Sequence, residues 1–204
     1  RDGRLYHQSR DSHYDQVSAL IKSVRGSDPD GALFWLVTLL ESGESPRFIA
    51  RRLVILASED VGLADNTGLL VAEAAARAVE YVGLPEARLN LAHATIALAL
   101  AAKSNSVTRA LGEVTRAVTQ GGVNNVPDHL RSTGYRGAAE QGWGVGYDYP
   151  HDFDGAWVDQ QYLPDAWKGA RFYEPTDHGD EAHSARAWRE RTGRDSGETG
   201  PPVE

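Results

Sequence analysis

The sequence predicts an all-α fold of stacked antiparallel helical hairpins, followed by an irregular, aromatic-rich C-terminal arm. Three observations support this prediction. Apolar residues recur at helical spacing through about residue 120. Glycine repeatedly ends one helical segment, and proline or a capping residue begins the next. The segments are separated by short gaps, which is typical of helices that pack as antiparallel neighbours.

The central element is a predicted helix over residues 46–61. Ser45 can cap its start, Pro46 suits the first helical position, and Gly62 suits a left-handed C-cap. Two adjacent apolar stripes run along it, formed by Ile49, Leu53 and Leu56 and by Ala50, Val54, Ala57 and Val61. A helix that is apolar over most of its circumference belongs in the core.

Five further body helices are predicted, and a seventh helix is expected at residues 180–191. The body helices begin at Asp11 or Ser12, at Pro29, at Asn66, at Pro85, and at Ser104 or Asn105. The one beginning at Asn66 is rich in alanine, which permits close helix packing. In the one beginning at Pro85, the expected core face contains Leu89, Ala92, Ile96 and Ala99.

The predicted organisation has four parts. Residues 1–10 are a linker, 11–120 form the helical body, 121–192 form an arm with a last helix packed on that body within the same domain, and 193–204 are a disordered tail. The arm contains too many aromatic residues for a disordered segment.

Composition limits the classes of function. The net charge of −8 excludes a uniformly basic nucleic-acid surface, although a local patch is compatible with it. Cysteine is absent, and no apolar run is long enough to cross a membrane, so we expect no membrane partner. The chain also contains no Met, and we therefore expect it to be a fragment that begins inside a longer protein.

Glu59 and Asp60 lie in the last turn of the central helix, where the helix dipole disfavours anions. We predict that at least one of them pairs with a basic side chain or caps a helix or loop. Arg25 and Lys103 are the available intrachain partners. Arg51 and Arg52 sit roughly 10 Å away along the same helix and could meet the acids of a neighbouring subunit instead.

Basic residues cluster at helix ends, and two interpretations remain open for them. Lys22, Arg25, Arg47, Arg51, Arg52 and Lys103 could form a local phosphate-contacting patch. Alternatively, they serve helix dipoles and ion pairs with Glu59 and Asp60.

Enzyme signatures are weak. Lys22-Ser23 and Lys103-Ser104 lack the glycine-rich loop of a phosphate-binding P-loop. His151-Asp152, with His129 or His93, raises a helical metal-dependent phosphohydrolase as an alternative. Because His151 follows Pro150 in an irregular segment, ordinary hydrogen-bonding histidines are favoured.

Several motifs, in order, resemble the C-terminal domain of the replication-associated recombination protein A (RarA/MgsA) family of AAA+ ATPases, which includes the Werner helicase-interacting protein. They are Lys22-Ser23-Val24-Arg25-Gly26-Ser27-Asp28-Pro29-Asp30, Phe48-Ile49-Ala50-Arg51-Arg52-Leu53, Ala57-Ser58-Glu59-Asp60-Val61-Gly62-Leu63-Ala64-Asp65, Lys103-Ser104-Asn105, Val126-Pro127-Asp128-His129-Leu130-Arg131, Tyr147-Asp148-Tyr149-Pro150-His151-Asp152 and Tyr173-Glu174-Pro175-Thr176. The chain departs from the family pattern at Ala102 and Asn66, where proline is usual.

The resemblance implies a helical domain similar to the collar of clamp-loader subunits, which assembles a homotetramer. It implies an ATPase domain, with ATP and Mg²⁺, before residue 1, and therefore no catalytic, cofactor or metal residue in this chain. The whole protein would act in DNA replication, recombination and repair at stalled forks, in the cytoplasm with the nucleoid, with DNA and single-strand-binding protein as partners.

The alternative of another class is a freestanding helical adaptor that binds protein or nucleic acid. The residues expected to form a polar network or an interface are Lys22, Arg25, Arg51, Arg52, Glu59, Asp60, Lys103, Asn105, His129 and Arg131.

Overall fold

A computed structural model describes residues 2–121, 124–134 and 139–193 of the chain. Within these ranges it contains seven α-helices and no strand, which confirms the all-α prediction. The helices are α1 (Asp2–Arg25), α2 (Pro29–Glu41), α3 (Pro46–Leu56), α4 (Thr67–Tyr81), α5 (Ala87–Leu100), α6 (Ser106–Gln120) and α7 (Gly179–Thr192). None of the described helices is long and apolar enough to cross a membrane.

The chain divides into two compact units. The first contains the residues up to Thr108 together with Pro175–Ala182, and the second contains Arg109–Glu174 and the residues from His183 onward. The division falls within α6 and within α7, so each of these helices contributes residues to both units.

Helices α3 and α5 supply much of the core of the first unit. Ile49, Leu53 and Leu56 are at most 1% exposed, because α3 packs against both α4 and α5. Further contacts join α1 to α2, α2 to α5, and α4 to α5. The burial predicted for α3 is therefore confirmed, but the helix at the centre of the unit is α5, which contacts α1, α2, α3 and α4.

The predicted single helix over residues 46–61 has a change of geometry near its end. Its α-helical part stops at Leu56 and continues as one turn of π-helix, Ala57–Val61, before Gly62. Gly62 has a φ of 54°, and a Cβ atom added there would lie 2.6 Å from the carbonyl oxygen of Ser104. Glycine is thus required by both conformation and close backbone approach.

Two local predictions were wrong. Helix α1 begins at Asp2, so most of the predicted linker over residues 1–10 is helical and the start at Asp11 or Ser12 is incorrect. On α5, Leu89 is 77% exposed, whereas Leu91 and Leu98 are fully buried. Helix α5 contacts α1, α2, α3 and α4, so its buried surface is wider than one stripe and differently centred.

Between α6 and α7, the backbone of the second unit is irregular and rich in aromatic residues, as predicted. This segment contains single 3₁₀ turns at Asp128–Leu130, Ala139–Gln141, Pro150–Asp152, Asp154–Ala156 and Asp165–Trp167. Trp167 donates a hydrogen bond from Nε1 to Asn124 (2.9 Å), and its ring lies 5.9 Å from that of Phe172. Apart from Gly193, the predicted disordered tail lies outside the described residues.

Candidate functional site

The π turn after α3 places Asp60 against the end of α1. Arg25 donates from Nε to Asp60 Oδ1 (2.5 Å) and from Nη2 to Oδ2 (3.2 Å). The side chain of Asp60 is 9% exposed and that of Arg25 is 48% exposed. Glu59 lies farther out, with Oε1 3.7 Å from Arg25 Nη2. The prediction that one of these acids pairs with a basic residue is confirmed, and Arg25 is the partner.

Carbonyl groups at this turn are also satisfied by the start of α6. The backbone N–H of Ser104 donates to the carbonyl of Asp60 (2.8 Å), and the hydroxyl of Thr108 donates to the carbonyl of Glu59 (3.2 Å). Terminal helical carbonyls otherwise lack partners. The π turn therefore connects α1, α3 and the start of α6 within the first unit.

Electrostatics at the turn follow from these contacts. The hydrogen bond to Asp60 raises the pKa of the Arg25 guanidinium, although burial opposes this effect. Burial lowers the pKa of Lys103, and the negative charge of Asp60 partly offsets that shift. Lys103 makes no ion pair in the described network; its ammonium donates to the carbonyls of Ala99 and Ala101 and to the hydroxyl of Ser27.

The other predicted basic residues are not gathered at this turn. Lys22 is exposed on α1. Arg51 is exposed, with Cζ 6.0 Å from the centre of the Phe48 ring. Arg52 is half-buried, and its buried Nε has no hydrogen-bond partner among the described residues. Asn105 is exposed just before α6.

His129 and Arg131 lie in the second unit and make local contacts there. His129 Nε2 is 2.7 Å from the carbonyl oxygen of Gln161. Arg131 Nε is 3.1 Å from Asp128 Oδ1, and Arg131 Cζ is 5.0 Å from the centre of the Trp143 ring. The guanidinium of Arg131 is thus held between a carboxylate and an aromatic face.

Sequence reasoning missed a buried carboxylate in the first unit. Glu181, at the start of α7, is only 1% exposed and accepts hydrogen bonds from the hydroxyls of Ser104, Ser106 and Thr176. Nearby, His178 Nδ1 is 2.8 Å from the carbonyl oxygen of Lys103. No spacing rule relates residues 75 or more positions apart, so only the fold reveals this cluster.

The described residues contain no group of three or more His, Asp or Glu side chains that could hold a metal ion. The ring of His151 lies 5.1 Å from that of Tyr149, with the two planes tilted by 49°. His93 is exposed on α5. These positions give no support to the phosphohydrolase alternative.

Helix α6 carries an apolar stripe that other described elements leave in solvent. Leu111 is 66% exposed and Val118 is 59% exposed, with Val114 between them at 36% and Val107 one turn earlier at 37%. Their spacing of four, three and four residues places them on one face, as in the seam of a coiled coil. Threonines border the stripe, at positions 108, 115 and 119.

The charges of α6 lie away from this stripe and are already paired. Arg116 Nη1 is 2.6 Å from Glu113 Oε2, and Arg109 Nη1 is 3.7 Å from Glu174 Oε2. The stripe is therefore apolar at its centre and neutral at its border. That arrangement suits contact with another apolar helix and offers no chemistry for catalysis.

The chain is similar to a family of ATPases over most of its length. The family model described as MgsA AAA+ ATPase C terminal matches residues 26–192. The chain is 53% identical over 180 residues to an AAA domain-containing protein of Mycobacterium tuberculosis, covering 88% of this chain and 40% of that protein. It is 46% identical over 169 residues to replication-associated recombination protein A of Bacillus subtilis, covering 83% and 40% respectively.

A eukaryotic relative shows the same partial overlap. The chain is 41% identical over 175 residues to ATPase WRNIP1 of Dictyostelium discoideum, covering 85% of this chain and 20% of that protein. The chain thus spans 40% or less of the length of these relatives.

Proposed function

The chain belongs to the family of MgsA-type AAA+ ATPase C-terminal domains, and from this premise we propose that it is the non-catalytic assembly domain of such an ATPase. Its role is to join copies of the protein into a homotetramer. The observation that carries the proposal is the exposed stripe of Val107, Leu111, Val114 and Val118 on α6.

The stripe needs a cover for energetic reasons. Except at Ser106, which is buried, the side chains of α6 are exposed or at most half-buried. A helix of 15 residues is marginal in water on its own, and most helical stability in proteins comes from packing of the apolar face. Complete burial of a fully exposed Leu or Val side chain contributes about 1.5–3 kcal/mol. The stripe residues, which are 36% to 66% exposed, would each contribute a part of that. An intermolecular contact would supply this stabilisation.

A second copy of the same stripe is a suitable cover. In a two-fold contact the same patch faces itself, so it must be self-complementary, and a charge on the two-fold axis would face its own copy. The neutral threonine border places no charge there. Four copies packed around a common axis would form a helical bundle, in which small crossing angles bury stripes with this spacing.

The remaining functions belong to the proposed full-length protein. ATP and Mg²⁺ would be bound by an ATPase domain preceding residue 1, and DNA and single-strand-binding protein would be its partners in replication and recombination in the cytoplasm. Arg25 and Lys103 are engaged in contacts within the first unit, which argues against a broad DNA surface around the π turn. We expect the purified chain to hydrolyse no ATP, because its sequence lacks a P-loop.

Light scattering during size exclusion tests the assembly role. We expect the wild-type chain to have four times its monomer mass, and the double variant Leu111→Asp with Val118→Asp to have a lower mass. Leu89→Asp is the matched control, since Leu89 is 77% exposed on α5 and lies outside the stripe. A wild-type monomer at tens of micromolar, or an unchanged mass in the double variant, contradicts the proposal.

A further inference from the structure

Residues 147–153 and Tyr162 of the second unit expose a group of aromatic rings. Tyr147 is 42% exposed, Tyr149 53%, Phe153 42% and Tyr162 50%. Aromatic side chains bury large areas when they serve a core, and a group of them left half in solvent marks an interaction surface.

Hydrogen bonds hold part of this group in place. The Gln160 amide donates from Nε2 to the carbonyl oxygen of Asp148 (2.7 Å) and to the hydroxyl oxygen of Tyr162 (2.9 Å). Its Oε1 accepts from the N–H of Asp148 (3.3 Å). The ring of Tyr149 packs on His151, with centres 5.1 Å apart. Gln160 thereby holds the hydroxyl of Tyr162 near the backbone of Asp148, which gives this part of the surface a defined geometry.

The chain segment that carries these rings is acidic. Between residues 137 and 167 the sequence contains no Lys or Arg, whereas it contains six acids: Glu140, Asp148, Asp152, Asp154, Asp159 and Asp165. Asp148 and Asp152 are exposed on either side of Tyr149. Asp154 is less suitable for binding an external cation, because the side chain of Arg191 approaches the adjacent Gly155. A surface of this charge repels phosphate groups and attracts cations.

The second unit already contains one guanidinium group that is held by an aromatic ring and a carboxylate. Arg131 lies over the Trp143 ring at 5.0 Å and pairs with Asp128 at 3.1 Å. Arginine combines stacking on aromatic faces with directed hydrogen bonds to carboxylates, whereas the lysine ammonium is a compact, strongly hydrated charge.

We propose that Tyr147, Asp148, Tyr149, Asp152 and Tyr162 form a docking surface for an arginine-rich segment of a partner protein. The rings stack with the partner's guanidinium groups, and the two carboxylates pair with them. This surface is separate from the α6 stripe, so its role goes beyond the proposed assembly function.

Fluorescence anisotropy with two labelled peptides tests the proposal on the whole chain. We expect an octa-arginine peptide to bind about tenfold more tightly than octa-lysine at physiological salt, because stacking adds to charge attraction. Tyr149→Leu with Tyr162→Leu should reduce this ratio, because two stacking faces are lost. Tyr149→Phe, which keeps its ring and leaves the hydrogen bond between Gln160 and Tyr162 in place, should retain it.

Charge controls separate a defined surface from the general attraction of a chain of net charge −8. Asp148→Asn with Asp152→Asn should weaken octa-arginine binding about tenfold. Asp15→Asn with Glu86→Gln removes the same charge from exposed sites in the first unit and should have a much smaller effect. Three outcomes would overturn the proposal. The wild type could bind the two peptides with equal affinity, or the two charge variants could lose affinity equally. The third is binding of a labelled oligothymidine that depends on Tyr149 and Tyr162.

Discussion

Asp60 is almost completely buried, whereas Arg25, which donates two hydrogen bonds to it, keeps 48% of its side chain in solvent. The two partners therefore differ in what each would face after loss of the other. An uncovered Arg25 could be hydrated where it stands. An uncovered Asp60 would remain a charge in a poorly hydrated site, with Glu59 as a like-charged neighbour.

We predict that Arg25→Ala destabilises the chain more than Asp60→Ala does. Arg25→Ala leaves a buried carboxylate without its cation and should cost about 3–5 kcal/mol in the free energy of unfolding. Asp60→Ala removes hydrogen bonds to a charged group and should cost about 1.5–3 kcal/mol. Urea denaturation followed by circular dichroism measures both.

The control for this comparison is Arg77→Ala, which removes an exposed i,i+4 ion pair with Glu73 on α4. Its cost should be about 0.5 kcal/mol or less. Equal costs for Arg25→Ala and Asp60→Ala would show that the difference in burial has no energetic consequence.

Local sequence signals were sufficient where they act along one helix. Pro29, Pro46 and Gly62 placed the start of α2 and the start and end of the central helix. Apolar spacing correctly identified the buried positions of α3. It failed on α5, because a helix packed on several sides buries residues around much of its circumference.

Most of the site residues could be identified only once the fold was known. The Arg25–Asp60 pair could be anticipated, because two acids at a helix C-terminus are locally unfavourable and need a compensating contact. Glu181 gave no comparable signal, since an acid in the first turn of a helix is locally favourable in itself. The stripe on α6 was not identified from the sequence, and only the structure shows that its residues are exposed.

We predict that Glu181→Ala is strongly destabilising. The substitution leaves a cavity and removes the acceptor of three hydroxyl groups, so it should cost roughly 2–5 kcal/mol in the free energy of unfolding. Glu181→Gln keeps the volume and one carbonyl acceptor, and its cost should be smaller. Thermal and urea unfolding of both variants test this order; a Gln variant as unstable as the Ala variant would indicate that ionisation, rather than volume and hydrogen bonding, is what the site requires.

Two glycine substitutions are predicted to have opposite effects. A Cβ atom at Gly112, inside α6, meets no heavy atom within 4 Å, and Ala there should stabilise the chain by about 0.5–1 kcal/mol. At Gly62, positive φ and the 2.6 Å approach to the Ser104 carbonyl make Ala destabilising. Gly112 lies outside the apolar stripe, beside the border threonines at positions 108, 115 and 119. Because Ala adds only one methyl group there, Gly112→Ala should leave the molar mass unchanged. Destabilisation by Gly112→Ala would mean that another surface covers this position.

Burial lowers the pKa of Lys103 in the folded chain, and the negative charge of Asp60 opposes this shift. Below that lowered pKa, Lys103 is protonated in both states, and the folded state carries the full cost of a desolvated cation. As pH rises through it toward the ordinary value of 10.5, the unfolded chain binds more protons than the folded chain, so the contribution of this group to stability increases.

Lys103→Met removes this titration while keeping a long side chain. We therefore expect the free energy of unfolding of the wild type, relative to Lys103→Met, to increase between pH of about 7 and about 10. Lys22→Met, at an exposed position on α1, controls for the loss of one positive charge. The prediction would be contradicted if the free energy of unfolding of the wild type, relative to Lys103→Met, decreased over this range. It would also be contradicted if the difference changed equally for Lys103→Met and Lys22→Met.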